Sequence, residues 1–174
     1  MDIFLQILAY TLPALVVFVL VYIVMRKFLN EEDARRRYLL AKESQKSTIP
    51  IRLTAYERLV LFLERITPDS LLVRMQDSTL TALQFHSSLL VDIRAEFEHN
   101  VAQQIYVSDE AWNVTKNAKE NVIQMINACA AKVPPEAPAE QLASVILTIY
   151  QNEEESPTSL AISYLKHEIQ RYFV

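Results

Sequence analysis

Glutamate and histidine three positions apart are the residues of this sequence that come nearest to a metal site. Glu96 and His99 form a Glu-x-x-His motif, whose side chains lie on one side of a helix and can bind one metal ion, as in di-iron helical bundles. Such a centre needs a second copy of the motif, but His86 and His167 have no glutamate three residues before them. A metal-binding or enzymatic helical domain that uses Glu96 and His99 is therefore an alternative hypothesis, and we predict no metal ion and no cofactor.

Other reactive residues are few. His86 falls on the apolar side of its predicted helix, which favours a hydrogen-bonded histidine at the edge of the core over a ligand or a general base. Cys129 is the single cysteine, so no disulfide can form within the chain, and a cysteine on an apolar helical stripe is typically inert. The sequence has no H-E-x-x-H, C-x-x-C or G-x-S-x-G motif. We therefore predict that the protein is not an enzyme and has no catalytic residues.

The sequence contains no glycine among 174 residues, where average usage of roughly 7% gives about 12. This absence excludes the P-loop, the dinucleotide-binding glycine loop and the glycine forms of tight hairpins. Since 51% of the residues are apolar and proline, serine and threonine mark the boundaries, the fold class predicted is all-α. Helices must also end without glycine caps, through residues such as Asn100.

An uncharged apolar run occupies residues 3–25. At 1.5 Å per residue it would make about 35 Å of helix, which exceeds a hydrocarbon core of about 30 Å. We predict a transmembrane anchor over residues 1–25. Because Arg26 and Lys27 follow the run and no basic side chain precedes it, the positive-inside rule places the N-terminus outside and the rest of the chain in the cytoplasm. The lipid bilayer is thus a predicted partner.

Polar side chains inside and after this run are candidates for membrane contacts. Gln6 and Tyr10 share a helical face that could contact another membrane helix, although both could equally lie at the level of the lipid headgroups. The candidate headgroup contacts are basic: Arg26, Lys27, Arg35, Arg36 and Arg37. These residues could also be an ordinary topology signal on a solvated stalk.

Residues 26–50 are predicted to form a juxtamembrane stalk and hinge. Thr48 and Pro50 break the helix over residues 45–51, since a residue before proline is pushed to an extended conformation. Residues 51–174 then form one cytoplasmic helical domain of a size that can bury a core. The helix starts predicted in it are a capping box at Thr54 and Glu57, Thr67-Pro68 before a short helix over 68–75, Asp77-Ser78 before a helix to about 99, Ser108, Pro138 and Ser156-Pro157.

Apolar spacing predicts the buried face of each helix. In the helix over 56–66, Tyr56, Leu59 and Leu63 define the stripe, and Leu61 and Phe62 widen it. The next long helix has its predicted stripe at Leu80, Leu83, Leu90, Ile93 and Phe97.

Charge argues against nucleic acid as a partner. Lys and Arg number 17 and Asp and Glu number 21 in the whole chain. Residues 51–174 carry 10 basic and 16 acidic side chains, a net charge of −6, whereas nucleic-acid binding needs a positive patch.

Two stretches, residues 52–65 and 96–106, mix polar and aromatic side chains more densely than a core needs. Such side chains suit a protein interface, but they could also bond one another and fix the packing of the helices. The candidate partner surface comprises Arg52, Tyr56, Glu57, Arg65, Glu96, His99, Asn100, Gln103, Gln104 and Tyr106.

The same stretches carry a resemblance. IPIRLTAYERLVLFLERITPDSLLVRM and IRAEFEHNVAQQIYVSDEAW resemble segments of an uncharacterised family of single-pass, membrane-anchored helical proteins of Bacteroidota, and the similarity covers nearly the whole chain. The resemblance implies an anchor in a bacterial inner membrane and a helical cytoplasmic domain. The family has no established activity, so the resemblance implies no functional residues.

These observations favour a non-enzymatic scaffold or accessory subunit, anchored in the inner membrane, whose helical domain binds a protein partner in a membrane complex. A tethered domain binds such a partner at a raised effective concentration. A homo-oligomeric membrane structural protein that associates through Gln6 and Tyr10 is a further hypothesis, beside the metal-binding one.

Overall fold

The computed structural model describes the backbone of residues 2–152 and 155–171, and the side chains of residues 15–28, 31–32, 35–36, 39, 48–152 and 155–171. All regular elements of the described residues are helical, so the predicted all-α class is confirmed for that part of the chain. The elements are α1 (Asp2–Ile66), α2 (Pro68–Met75), α3 (Ala82–Asn100), a 3₁₀ turn (Val101–Ile105), α4 (Asp109–Ala130), α5 (Ala139–Gln151) and α6 (Pro157–Gln170).

The chain divides into two compact units, an N-terminal unit, Met1–Thr48, and a C-terminal unit, Ile49–Val174, and each is described by itself. In the N-terminal unit the apolar side chains from Leu15 to Met25 are all exposed. Farther along the same helix, Arg36 Nη2 lies 3.6 Å from Glu32 Oε1, a pair with i, i+4 spacing.

No helix within the described residues is long and apolar enough to cross a membrane. This finding contradicts the predicted transmembrane anchor and the predicted single-pass location in the inner membrane. The side chains of Gln6, Tyr10 and Arg37 lie outside the described residues, and the other basic residues proposed to contact headgroups, Arg26, Lys27, Arg35 and Arg36, are exposed.

The helix break predicted at Pro50 is wrong, because residues 45–51 are helical. The capping box predicted at Thr54 and Glu57 is wrong for the same reason, since an N-cap residue must lie outside the helix. Thr54 instead donates its hydroxyl to the carbonyl of Pro50, four residues earlier, at 3.0 Å. This hydrogen bond to a carbonyl of the preceding turn gives the hydroxyl a partner in the interior of the helix.

Four other helix starts agree with their sequence signals. α2 begins at Pro68 and ends at Met75, as predicted. Ser108 Oγ accepts from the amide of Ala111 at 3.0 Å and caps α4. Pro138 precedes the first residue of α5, and Ser156 caps α6 with Pro157 as its first residue.

The start predicted for α3 at Asp77-Ser78 is wrong by about one turn. Asp77 Oδ1 accepts from both the amide and the hydroxyl of Thr79, at 2.9 and 2.7 Å, so its carboxylate closes a turn and does not cap a helix. The cap is Thr81, whose hydroxyl accepts from the amide of Gln84 at 3.3 Å while the Gln84 side chain accepts from the amide of Thr81 at 3.0 Å. This reciprocal capping box fixes the first residue of α3 at Ala82.

Replacing Thr81 with alanine is expected to lower the free energy of unfolding by about 1 kcal/mol, because the amide of Gln84 loses its acceptor. Urea unfolding of the full chain, followed by the fluorescence of Trp112, measures the change, since Trp112 is the single tryptophan. Ser87→Ala is the matched control, a hydroxyl in the interior of the same helix that bonds only to the carbonyl of Leu83. We expect it to stay within about 0.5 kcal/mol of the parent, and equal losses in both variants would contradict the capping role.

Helix ends are closed without left-handed residues, as the missing glycine requires. No described residue has a positive φ angle. Asn100, the last residue of α3, donates Nδ2 to the carbonyl of Glu96 at 2.8 Å, which confirms the predicted role of asparagine at a helix end. Asn152 makes the same bond to the carbonyl of Thr148 after α5.

All helices of the C-terminal unit contribute to one core, in which α4 packs along α6 and α3 packs against α4 and α5. Two predicted core residues, Leu61 and Leu83, are 57% and 55% exposed. Each lies two positions from a buried residue, Leu63 or Phe85, which is about 200° around the helix. The largest fully buried side chains are Tyr56, Phe62, Phe85, Leu59, Leu63, Ile66, Leu71, Leu89, Ile93, Ile126, Leu142 and Ile146.

Candidate functional site

The two stretches that the sequence singles out meet along a groove of about 400 Å³ between α1 and the C-terminal end of α3, which we call the α1–α3 groove. Its exposed apolar side chain is Leu61, and the buried ring of Phe62 lies beside it. The other lining residues are Thr54, Glu57, Arg58, Arg65, Glu96, His99 and Asn100. Five predicted partner-surface residues, Glu57, Arg65, Glu96, His99 and Asn100, are therefore brought together.

A second contact joins the two stretches beyond the groove. Arg52 donates Nε to the carbonyl of Tyr106 at 3.0 Å, which ties α1 to the residue after the 3₁₀ turn. Gln103 and Gln104 lie in that turn and do not line the groove.

Tyr56 is a core residue and does not belong to a surface. It is 2% exposed, and its hydroxyl donates to Glu168 Oε1 of α6 at 2.9 Å. Its place on the apolar stripe of α1 indicated burial, whereas the polar partner on α6 lies 112 residues away and has no signal in the sequence.

Glu96 is held between two arginines from different helices. It forms ion pairs with Arg65 of α1 and with Arg74 of α2, whose Nη1 lies 3.8 Å from Glu96 Oε1. Arg74 also makes a two-pronged pair with Asp92, at 2.9 Å to Oδ1 and 2.7 Å to Oδ2. The hydrogen bonds that Arg74 donates to Asp92 raise the pKa of Arg74, the charges of Asp92 and Glu96 raise it further, and burial acts in the opposite direction. These carboxylates and arginines fix α1, α2 and α3 at the edge of the groove.

Arg74 and Asp92 are site residues that the sequence analysis missed. They lie 18 residues apart on different helices, so no helical spacing relates them. The one sequence signal is the position of Arg74 in the last turn of α2, where a basic residue favours the helix dipole.

Two of the three histidines, His99 and His86, are hydrogen-bonded to nearby groups. His99 Nδ1 lies 2.7 Å from the carbonyl of Ala95 and therefore donates to it. His86 Nε2 lies 2.7 Å from Asn127 Oδ1 on α4, in keeping with a histidine at the edge of the core. Over the described residues, no group of three or more His, Cys, Asp or Glu side chains could hold a metal ion.

Two ionisable side chains of the groove, His99 and Glu96, are already engaged by neighbouring groups. The one histidine of the groove bonds to a backbone carbonyl, and the carboxylate of Glu96 is neutralised by Arg65 and Arg74. The side chains of Glu57 and Arg58 are exposed near Leu61. One is acidic and the other basic, and both can bond to a partner.

A family of unknown function, DUF7935, matches residues 2–172 of the sequence. The chain belongs to this family. The expected membership of an uncharacterised family is thus confirmed, and the match extends over both units. No curated protein and no solved structure matches the chain.

Proposed function

We propose that the C-terminal unit is a non-enzymatic interaction module, a scaffold or accessory subunit that binds a protein partner at the α1–α3 groove. The observation that carries the proposal is the exposed Leu61, set between charged and amide side chains that two helices supply. An apolar centre with a polar rim is the usual composition of a protein interface.

The walls of the groove support the proposal because they are fixed before any partner arrives. Arg65, Glu96 and Arg74 tie three helices together at one wall, and Asn100 is bonded to the backbone of its own helix. A surface that is already ordered loses less conformational entropy on association, which raises affinity. The partner on this proposal presents an apolar side chain to Leu61 and hydrogen-bonding groups to Glu57 and Arg58.

The test is an affinity capture from the cells that encode the protein, with the full chain as bait after mild crosslinking and with quantitative mass spectrometry. Leu61→Asp places a carboxylate at the centre of the groove and is expected to remove the specific partners, with at least a tenfold lower recovery. Leu83→Asp is the matched control, because Leu83 has nearly the same exposure, 55% against 57%, and lies outside the groove. Equal recovery of every captured protein with both variants would refute the groove as the binding site.

The origin of the chain in Bacteroidota belongs to the same proposal and is supported by the segments quoted above.

A further inference from the structure

A second groove, of about 440 Å³, runs between α2 and α5 in the C-terminal unit and is separate from the α1–α3 groove. Its apolar wall includes Leu72 and Val73 of α2 and Leu147 of α5. Val73 is 78% exposed. Burying a solvent-facing valine beside an apolar groove lowers the free energy, which favours the binding of a partner to this surface.

The groove follows one face of α5. Glu140, Ala143, Ser144, Leu147 and Gln151 line it, and their spacing of three and four residues is that of a single helical face. Gln151 lies eleven positions after Glu140, so this face extends for about 16 Å, or three turns. A groove of this length parallel to a helix fits the apolar face of another helix.

The charge of the groove has one sign. Among the described residues, Asp77 and Glu140 are the charged side chains that line it, and no described lysine or arginine does so. Both lie at the same end, because the amide of Ala139 donates to the carbonyl of Leu80 at 3.2 Å and Leu80 in turn donates to the carbonyl of Asp77. The hydrogen bonds from the hydroxyl and the amide of Thr79 lower the pKa of Asp77, so this carboxylate stays ionised at neutral pH.

Backbone bonds hold that end of the groove in place. The amide of Ala82 donates to the carbonyl of Ala137 at 2.7 Å, and the amide of Leu83 donates to the carbonyl of Pro135 at 3.1 Å. Together with the bridge between Thr81 and Pro138, these bonds join the start of α3 to the loop before α5. The acidic end is therefore formed without a ligand.

We propose that the α2–α5 groove binds an amphipathic helix of a protein partner, with apolar residues at i, i+3, i+4 and i+7 and with lysine or arginine at the end that meets Asp77 and Glu140. The α2–α5 groove is distinct from the α1–α3 groove of the proposed function. An experiment can therefore refute one of the two proposals without refuting the other. The basic end of the partner is selected by charge complementarity, and its apolar face covers Val73 and Leu147.

The test uses the full chain and three synthetic helical peptides of sixteen residues, with binding followed by fluorescence anisotropy. The first peptide has leucine at the stated spacing and three lysines at one end, the second has glutamates in place of these lysines, and the third has the first composition with the leucine spacing scrambled. We expect saturable binding of the first peptide, at least about tenfold weaker binding of the other two, and a loss of affinity as salt is raised, because exposed charge pairs are screened. Equal affinity for the three peptides, or no binding of the first, overturns the proposal.

Variants of the protein locate the binding. Val73→Lys puts a cation into the groove and is expected to weaken binding of the first peptide at least tenfold. Val91→Lys is the matched control, since Val91 is 64% exposed on α3 and lies outside the groove. If both lysines weaken binding equally, the groove is not the site.

Charge selection is tested by the pair Asp77→Asn and Glu140→Gln. The asparagine keeps the oxygen that accepts from Thr79, so the turn is preserved. We expect this double variant to bind the first peptide about threefold to tenfold more weakly, since exposed ion pairs contribute only modestly to affinity. It should bind the second peptide no worse than the parent does. Leu61→Asp should leave all three affinities unchanged, which separates this groove from the one in the proposed function.

Discussion

Replacing Phe62 with alanine is expected to lower the free energy of unfolding of the C-terminal unit by about 3–5 kcal/mol. Phe62 is 1% exposed, and its ring centre lies 5.7 Å from that of Phe97 in a tilted arrangement. Phe97 in turn stacks on Trp112 at 5.3 Å and carries the Lys119 ammonium 4.1 Å from its ring centre. The substitution therefore leaves a cavity at one end of an aromatic series that joins α1, α3 and α4.

Urea unfolding followed by Trp112 fluorescence measures this loss, and the same signal reports whether the native stack has changed. Leu61→Ala is the control, because its side chain is the immediate neighbour of Phe62 and is 57% exposed. We expect Leu61→Ala to change the free energy of unfolding by no more than about 0.5 kcal/mol. A comparable loss in both variants would mean that Phe62 does not organise the core.

Helix starts could be predicted from the sequence for α4 and α6 but not within α1, where the signals at Pro50 and Thr54 fall inside a continuous helix. Ser108 and Ser156 each precede a helix, and α4 and α6 begin where these residues indicate. Before α3 the sequence prediction used Asp77, and the structure uses Thr81. The side chain of Asp77 finds Thr79 first and closes a turn, so the capping box at Thr81 decides the start.

The buried face of a helix was harder to predict than its start. Runs of consecutive leucine and phenylalanine fit several stripes, and only contacts with other helices choose among them. Leu83 fits the predicted stripe of its helix and Leu61 widens that of α1, yet both face solvent. The misassigned leucines are informative, since Leu61 is the exposed apolar side chain of the α1–α3 groove.

The candidate site was predictable in its two segments but not in its geometry. Composition identified residues 52–65 and 96–106, yet the ion pairs that fix their contact use Arg74 from a third helix. Nothing in local spacing relates residues that meet only through packing. The α2–α5 groove could not be predicted from the sequence for the same reason, because α2 and α5 lie more than 60 residues apart.

Replacing Tyr56 with phenylalanine is expected to lower the free energy of unfolding by about 1.5–3 kcal/mol, the range for a hydrogen bond to a charged group. The Tyr56 hydroxyl donates to Glu168 Oε1 at 2.9 Å. The other oxygen, Oε2, is buried and has no hydrogen-bond partner among the described residues. The variant removes the donor but keeps the ring, so the loss reports a half-buried carboxylate that has lost its hydrogen bond.

Tyr106→Phe is the matched control, since Tyr106 is 39% exposed and bonds to Arg52 only through its backbone carbonyl. We expect its effect on the free energy of unfolding to be below about 0.5 kcal/mol. A double-mutant cycle with Glu168→Ala then isolates the interaction between the hydroxyl and the carboxylate. If the hydroxyl stabilises the fold through Glu168, Tyr56→Phe should cost little once Glu168 is alanine. An undiminished loss in that background would assign the effect of Tyr56 to another contact.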